Sequence, residues 1–348
     1  EVTFAEKMKE AGYQTACIGK WDLSSREPII DRMPLAQGFD YYFGPLGAND
    51  GGFFTLYRNN EQLGRTDDMA GLTRLYTGEA IDFLQCKRDP ERPFLLYLAH
   101  TMAHMNIDAT DHFKGDSRGG LYGDVIEEID HETGRLLEVL DRLGLKENTI
   151  VIFTSDNGPW SQSAYVGRKR ARFPEYENAI FWGDSGPLRN AKGSCYEGGY
   201  RVPCIVRWPG KVPAGSVSDA ILASVDFFPT FAVLTGFSLP EDRVIDGVDQ
   251  SGLLTGRSEE GSRNSFFYAR TGFDGISHPN GVRKGKWKYL KAKHEVFNYA
   301  VDNERPEVEE LYNLEEDTGE ENNLAEKYPE KLAEMRQFFE EMKGRIVR

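Results

Sequence analysis

The chain has 348 residues, 42 of them basic and 56 acidic, so its formal net charge is −14. This length can bury a large core and predicts a main domain with a smaller one. The acidic balance argues against broad nucleic-acid binding, so an anionic ligand needs a local basic pocket. No apolar run approaches the ~18 residues of a membrane-spanning helix.

Four cysteines are too few for a disulfide scaffold and lack the spacing of a metal knuckle. They are Cys17, Cys86, Cys195 and Cys204. A Cys195/Cys204 bridge and free thiols both remain open.

The first elements alternate between helix and strand. Residues 2–11 have apolar side chains at helical spacing, and residues 15–21 form an apolar run typical of a strand. A parallel α/β domain normally starts on a strand, so we expect a further strand upstream of Glu1. Lys20 and Asp22 end the predicted strand, where they can serve an anionic site or form an ordinary surface ion pair.

Two histidines follow the next predicted strand. Residues 24–73 are rich in Gly, Asn and Asp without periodicity, which predicts long loops; residues 74–85 then favour a helix and residues 94–99 a strand. His100 and His104 come just after that strand. They can form an i, i+4 zinc pair, provide a single functional histidine or only donate hydrogen bonds.

The clearest helix is predicted over residues 121–143, whose apolar stripe, which includes Val125, Ile126 and Leu140, indicates core packing. Residues 149–155 form a β-branched run typical of a buried strand. Asp156, Asn157 and Gly158 follow its carboxyl end, where open α/β sheets bind ligands. These residues fit either a metal or anion site or an ordinary Asp-Asn-Gly turn.

The remaining elements predict a second domain. An insert after Trp160 contains Arg168 and Arg170, which can contact a polyanionic glycan or form a solvated basic loop. Residues 226–236 favour a buried helix. After a polar link near residues 255–263, strands are predicted over 265–270, 287–291, 295–299 and 310–313, with a final helix from about residue 329.

Six motifs in order resemble the sulfatase family of the alkaline phosphatase superfamily. They are AGYQTACIGKWDL, FLLYLAHTMAHMN, IVIFTSDNG, KGSCYEGGYRVPCIVRWPGKV, SVDFFPTFAVLTG, and VRKGKWKYLK with ELYNLEEDTGEENNLAE. The resemblance implies a central, mostly parallel sheet flanked by helices over residues 1–258. It also implies a smaller carboxyl-terminal domain, residues 259–348, with a four-stranded antiparallel sheet and a helix.

The resemblance also implies roles for individual residues. Asp156 and Asn157 match two ligands of a divalent ion, usually calcium. Lys192 matches a lysine that assists the leaving oxygen, Lys20 one that holds the nucleophile and sulfate, and His104 a histidine that binds sulfate or protonates the leaving alcohol. Candidate substrate contacts are Asp22, His100, Arg168, Arg170 and His278.

Two departures from the family pattern affect the chemistry. The family nucleophile is a formylglycine made within C/S-x-P/A-x-R, and none of the four cysteines has that context, so it is expected upstream of residue 1 with an Asp pair. Asp22 replaces the usual histidine of GKWHLG. A carboxylate about 4 Å from a sulfate costs roughly 4 kcal/mol at an effective dielectric of 20. Asp22 must therefore pair with Lys20, bond a sugar hydroxyl or face away.

The resemblance implies hydrolysis of a sulfate ester, on a small molecule or a carbohydrate, by a periplasmic or secreted enzyme. A phosphodiesterase or phosphonate hydrolase of the same superfamily is the alternative within the fold. A noncatalytic protein that binds sulfated glycans is the alternative of another class, and Asp22 keeps it open. The oligomeric state is not indicated.

Overall fold

The computed structural model describes residues 1–49, 51–161, 182–271, 277–292 and 308–346. Its helices are α1 (Phe4–Glu10), α2 (Leu72–Asp82), α3 (Gly120–Arg142), α4 (Glu197–Tyr200), α5 (Phe227–Thr235), α6 (Ser251–Leu254) and α7 (Pro329–Ile346). Its strands are β1 (Gln14–Gly19), β2 (Tyr41–Pro45), β3 (Phe54–Arg58), β4 (Glu61–Thr66), β5 (Phe94–Ala99), β6 (Val151–Thr154), β7 (Cys204–Arg207), β8 (Ser265–Thr271), β9 (Ser277–Lys284), β10 (Trp287–Ala292) and β11 (Val308–Asn313).

The chain forms two compact units. The amino-terminal unit contains Glu1–Ile150, Trp208–Gly215 and Ser224–Ser258, and the carboxyl-terminal unit contains Val151–Arg207, Ser216–Ala223 and Glu259–Arg348. The division into domains 1–258 and 259–348 stays a prediction. The two units follow contacts within the chain, and they place residues 151–207 in the carboxyl-terminal unit. No helix in the described part of the chain is long and apolar enough to cross a bilayer.

The amino-terminal unit is built on a five-stranded sheet in the order β4-β3-β2-β1-β5. β1 pairs in parallel with β2 and with β5, whereas the β2–β3 and β3–β4 pairs are antiparallel. The helices α1 and α2 pack against this sheet. The α/β fold class is confirmed, with a sheet that is mixed because residues 41–66 contribute three strands.

Those three strands correct the prediction of long loops over residues 24–73. β3 and β4 form a hairpin whose two-residue turn is Asn59 and Asn60, with Arg58 opposite Glu61. Asn59 has φ of +55°, the left-handed conformation that such turns require and that Asn tolerates. An Asn-Asn pair between two short runs was therefore the available signal.

α1 and α3 are found where they were predicted, and one residue of the α3 stripe differs from its prediction. Thr3 and Glu6 form a reciprocal capping box that starts α1. On α3, Val125 and Leu140 are buried as predicted, but Ile126 is 44% exposed. The prediction that Ile126 is buried is wrong, because buried acidic side chains fill part of the inner face of α3. Glu128, for example, accepts hydrogen bonds from the backbone N–H and the hydroxyl of Thr110.

The carboxyl-terminal unit contains a four-stranded antiparallel sheet in the order β11-β10-β9-β8, which confirms the predicted architecture. α7 packs on it through a core formed by Val282, Tyr289, Leu311, Met335 and Phe339. β9 was not predicted, and the predicted strand over residues 295–299 lies outside the described residues.

β6 does not belong to either larger sheet. It pairs antiparallel with β7 in a two-stranded sheet. The prediction of a buried strand is wrong, since Val151 and Ile152 are only partly buried and Phe153 is 39% exposed. Among the described strands, β6 pairs along one edge with β7.

Candidate functional site

Lys20 lies where the carboxyl ends of β1 and β5 adjoin. Its backbone N–H donates to the carbonyl of Ala99 at 2.8 Å. The preceding Gly19 has φ of +102°, and a Cβ there would lie 1.9 Å from the same carbonyl oxygen. Glycine is required at this position, and it fixes the point at which Lys20 leaves the sheet.

Asp22 pairs with two cations. Its carboxylate lies 3.4 Å from Lys20 Nζ and accepts hydrogen bonds from Arg26 Nε at 3.1 Å and Nη2 at 3.3 Å. Of the three arrangements expected for Asp22, the structure shows the pair with Lys20. One carboxylate between two cations leaves a net positive charge, so this set of residues can still attract an anion. Arg26 was missed because it lies in an irregular segment without periodicity.

His104 is held by a buried asparagine. Its Nδ1 lies 2.8 Å from the Met105 carbonyl and 3.3 Å from Asn49 Oδ1. Because a carbonyl only accepts, Nδ1 carries a hydrogen; Nε2 is an acceptor when the ring is neutral and a donor when the ring is protonated. Asn49 is fully buried and donates to the carbonyls of His104 and Asn106 at 3.1 and 2.7 Å. Sequence reasoning missed Asn49, which gave no signal in its loop.

His100 follows β5 directly. Its Nδ1 is buried without a hydrogen-bond partner in the described part of the chain, and its ring centroid lies 6.2 Å from that of Tyr76. Burial lowers the pKa of His100 to about 4. The ring is therefore neutral at pH 7 and can offer a hydrogen bond to a substrate but no positive charge. Within the described ranges, no three His, Cys, Asp or Glu residues form a metal-binding group, so the zinc pair has no third ligand of these types there.

The turn after β6 lies beside the segment that carries Lys192. Gly158 N–H donates to Gly199 O at 3.0 Å, and Lys192 N–H donates to Pro159 O at 3.0 Å. A Cβ on Gly158 would lie 1.8 Å from the carbonyl oxygen of Gly198. This close contact of two glycines lets the turn and the Lys192 segment run side by side.

The same turn carries two oxygen-bearing side chains, Asp156 and Asn157. Asp156 is exposed, and the Ser155 hydroxyl donates to the Asn157 carbonyl at 2.9 Å, which shapes the turn. The Lys192 ammonium lies 5.2 Å from the ring centroid of Trp160, within cation–π distance. Calcium takes six to eight oxygen ligands. The donor types of Asp156 and Asn157 fit this ion, but they supply only part of its shell.

The other predicted contacts are less well defined. Arg168 and Arg170 lie outside the described residues. The backbone of His278 pairs with Arg270 between β9 and β8, and its side chain lies outside the described part. All four cysteines are free thiols, so the Cys195/Cys204 bridge is absent.

The predicted residues fall into two groups. The amino-terminal unit holds Lys20, Asp22, His100 and His104, and the carboxyl-terminal unit holds Asp156, Asn157 and Lys192. Within each group, direct contacts join Lys20 to Asp22 and the Asp156–Asn157 turn to the Lys192 segment. Their functional roles stay predictions.

Comparison with known proteins decides the family. The family model described as Sulfatase matches residues 1–237, more than half of the chain. The chain belongs to the sulfatase family. A second model, described as N-sulphoglucosamine sulphohydrolase, C-terminal, matches residues 190–346 of this sulfatase. The resemblance read from the six motifs is thereby confirmed.

Named relatives agree with this result. The sulfatase is 36% identical over 284 residues to N-acetylgalactosamine-6-sulfatase of Canis lupus familiaris, covering 77% of this chain and 51% of that protein. It is 31% identical over 367 residues to arylsulfatase G of Rattus norvegicus, covering 95% of this chain and 68% of that protein. The chain thus spans about half the length of the first relative and about two thirds of the second.

Solved structures share the fold. One, a Bacteroides thetaiotaomicron protein described under the metabolism of multiple glycosaminoglycans, matches with a TM-score of 0.79 and 25% identity, over 99% of this chain and 82% of its own. The PsFucS1 sulfatase from Pseudoalteromonas sp. matches with a TM-score of 0.80 and 23% identity, over 100% of this chain and 73% of its own. The second likeness supports the fold alone.

Proposed function

We propose that this sulfatase hydrolyses a sulfate ester on a carbohydrate. The observation that carries the proposal is the contact of the Asp156–Asn157 turn with the Lys192 segment through backbone hydrogen bonds of 3.0 Å. This contact supports the proposal, because it joins the turn that carries two candidate oxygen ligands to the backbone of the segment that carries Lys192. Negative charge develops on the leaving oxygen, and a fixed cation lowers the barrier most when it faces that atom.

The proposed cofactor is one calcium ion. Asp156 and Asn157 would hold it, and the bound ion would polarise the sulfate oxygens as a Lewis acid. The four cysteines lack the C/S-x-P/A-x-R context, so the proposal places the formylglycine nucleophile outside residues 1–348. Lys20 would hold the sulfate. His104 donates from Nδ1 to the Met105 carbonyl, and in its protonated form it would donate from Nε2 to the sulfate or the leaving alcohol.

The proposed substrate is a sulfated sugar. The canine relative is named N-acetylgalactosamine-6-sulfatase, and the Bacteroides structure is described under the metabolism of glycosaminoglycans. Asp22 favours a substrate preference that differs from relatives with histidine there, because Lys20 and Arg26 already offset its charge. His100, Arg168, Arg170 and His278 stay candidate sugar contacts. A periplasmic or secreted location is part of the proposal.

The test is sulfate release by the full-length gene product from sulfated monosaccharides, with an aryl phosphodiester as the competing substrate. We expect sulfate release that is lost on chelation of divalent ions and restored by calcium. An Asp156→Ala variant should lose activity, whereas an Asp184→Ala variant, which also removes an exposed carboxylate, should keep it. Faster phosphodiester turnover would identify a phosphodiesterase, and glycan binding without turnover a noncatalytic protein; either result would refute the proposal.

A further inference from the structure

The segment that carries Lys192 is anchored at both ends by one residue of the carboxyl-terminal unit. At its start, Arg189 Nη1 donates to the carbonyl oxygen of Glu320 and to the Tyr312 hydroxyl, each at 2.8 Å. At its end, the backbone N–H of Glu197 donates to Glu320 Oε2 at 2.6 Å. Glu320 therefore bonds one end through its backbone and the other through its side chain.

The segment also closes on itself between these anchors. Gly198 N–H donates to the Arg189 carbonyl at 2.8 Å, and Ser194 donates to the Ala191 carbonyl through both its N–H, at 3.1 Å, and its hydroxyl, at 2.9 Å. Lys192 lies inside this closed loop. A shift of either anchor therefore moves the backbone from which its side chain projects.

A fully buried lysine joins the two anchoring carboxylates. Lys288 on β10 is 0% exposed; its Nζ donates to Glu197 Oε1 at 2.9 Å and forms an ion pair with Glu320 Oε1 at 2.8 Å. Glu197 also accepts from the Tyr268 hydroxyl at 3.0 Å and from Arg201 Nε at 2.7 Å. Two carboxylates thus face two cations, and the charges balance.

Such a network restricts the backbone to one arrangement. A buried charge that loses its partner is strongly unfavourable, so Lys288, Glu197 and Glu320 must keep their relative positions. Glu320 has φ of +53°, a left-handed conformation that is uncommon for residues other than glycine. A conformation of this kind persists when its surroundings over-determine it, as the three contacts of Glu320 do.

We propose that Glu197 and Glu320, joined by Lys288, are positioning residues for Lys192. They act through the backbone of the loop and contact no reacting atom. The role of Lys192 at the leaving oxygen rests on the proposed function, whereas the ordering of its loop does not.

The pKa values of the two carboxyls agree with this geometry. Burial acts to raise the pKa of Glu197, but Lys288 and Arg201 outweigh it and hold the value at about 2. Burial raises the pKa of Glu320, because the attraction of Lys288 offsets only part of that effect. At neutral pH, Glu197 is the firmly ionised anchor of the loop.

The first test is hydrogen exchange of the full-length protein carrying Glu197→Gln. We expect amides of residues 191–199 to exchange at least about tenfold faster, the factor for losing one charge-assisted hydrogen bond. The matched control is Glu132→Gln, since Glu132 is equally buried and pairs with Arg135 at 2.7 Å in the amino-terminal unit. The control should leave the loop unchanged, and unchanged exchange in Glu197→Gln would overturn the proposal.

A milder variant keeps the test valid if Glu197→Gln does not fold. Tyr268→Phe removes one hydrogen bond to Glu197 and leaves every charge in place. We expect faster exchange of the same amides, to a smaller extent than in Glu197→Gln. Exchange that rises equally across the whole carboxyl-terminal unit would show a general stabilising role instead, and would overturn the proposal.

The second test is kinetic. Glu197→Gln should lower kcat about 10–100-fold with KM nearly unchanged, since a displacement near 1 Å can cost a factor of 100 and Lys192 acts in the transition state. In a Lys192→Ala background, the same substitution should have no further effect on kcat. Additive effects would overturn the proposal. Absence of turnover in the unmodified enzyme would instead refute the proposed function, and the exchange experiment would still decide the ordering of the loop.

Discussion

Replacing Lys288 by methionine tests the buried ion pairs of the carboxyl-terminal unit. The substitution leaves Glu197 and Glu320 buried without the cation that lies 2.9 and 2.8 Å from them. Breaking a buried pair in this way costs roughly 3–5 kcal/mol. For a unit of this size, that loss corresponds to a decrease in melting temperature on the order of 10 °C.

The loss should depend on pH. Without Lys288, burial still acts to raise the pKa of both carboxyls, and at Glu197 Arg201 is left to oppose it. A raised folded pKa contributes stability that is present below the unfolded pKa and lost as pH rises through the folded pKa. The difference between Lys288→Met and the unmodified protein is therefore largest at neutral pH and shrinks below about pH 5.

Thermal unfolding followed by circular dichroism measures both effects. Lys286→Met is the matched control, because Lys286 is 40% exposed and pairs with Glu315 at 3.3 Å on the surface, where a pair contributes less than about 1 kcal/mol. Adding Glu197→Gln and Glu320→Gln to Lys288→Met should restore part of the loss. Equal losses in the two lysine variants, or a loss that does not change with pH, would refute the reasoning.

Three further substitutions test the loops around the predicted site residues. Gly158→Ala should cost about 1–3 kcal/mol in unfolding free energy, because its Cβ would lie 1.8 Å from a carbonyl oxygen. The control is Gly78→Ala in α2, where a Cβ would meet no atom within 4 Å; it should stabilise the protein by about 0.5–1 kcal/mol. Asn49→Ala removes the amide that donates to the His104 carbonyl and should cost about 1–3 kcal/mol in unfolding free energy. The His104 tautomer should stay the same in ¹⁵N NMR, because the Met105 carbonyl still accepts from Nδ1. Glu197 has a pKa of about 2 in the folded protein, so it contributes stability above about pH 4.5 that is lost as pH falls towards 2. Glu197→Gln should remove this part of the acid dependence of stability. An acid unfolding transition unchanged by the substitution would contradict the prediction.

The sequence predicted best where local signals agreed. β5 is found over Phe94–Ala99 as predicted, because Pro93 precedes an apolar run of strand length. α1 ends before Gly12, whose φ of +91° favours glycine. Residues 41–66 were missed because their strands are short and lie among Gly, Asn and Asp residues typical of loops.

The buried charges could not be predicted from local pattern. Lys288 is one of five lysines and arginines in VRKGKWKYLK, and charged side chains of this kind are almost never fully buried unless paired. Its partners Glu197 and Glu320 are distant in sequence, so no spacing relates them. The only signal was alternation in β10, which places Lys288 on the same face as Leu290, itself 1% exposed.

The candidate site shows the same limit. The resemblance named Lys20, His104 and Lys192, but the contacts that hold them come from residues without a motif. Asn49 fixes the His104 loop, and Arg26 shares the carboxylate of Asp22 with Lys20. These contacts depend on the conformation of irregular segments, and that conformation cannot be predicted from residue types and their spacing.

The initial rate of sulfate release from the sulfated monosaccharide that the full-length enzyme hydrolyses fastest, compared with the rate of its Lys192→Ala variant, tests the proposed chemistry most directly. Loss of a cation at the leaving oxygen should reduce kcat by about 10²–10³-fold. Lys211→Ala, which removes a lysine outside the loop, should retain the unmodified rate. A Lys192→Ala rate within twofold of the unmodified enzyme would contradict the role of Lys192 in sulfate-ester cleavage.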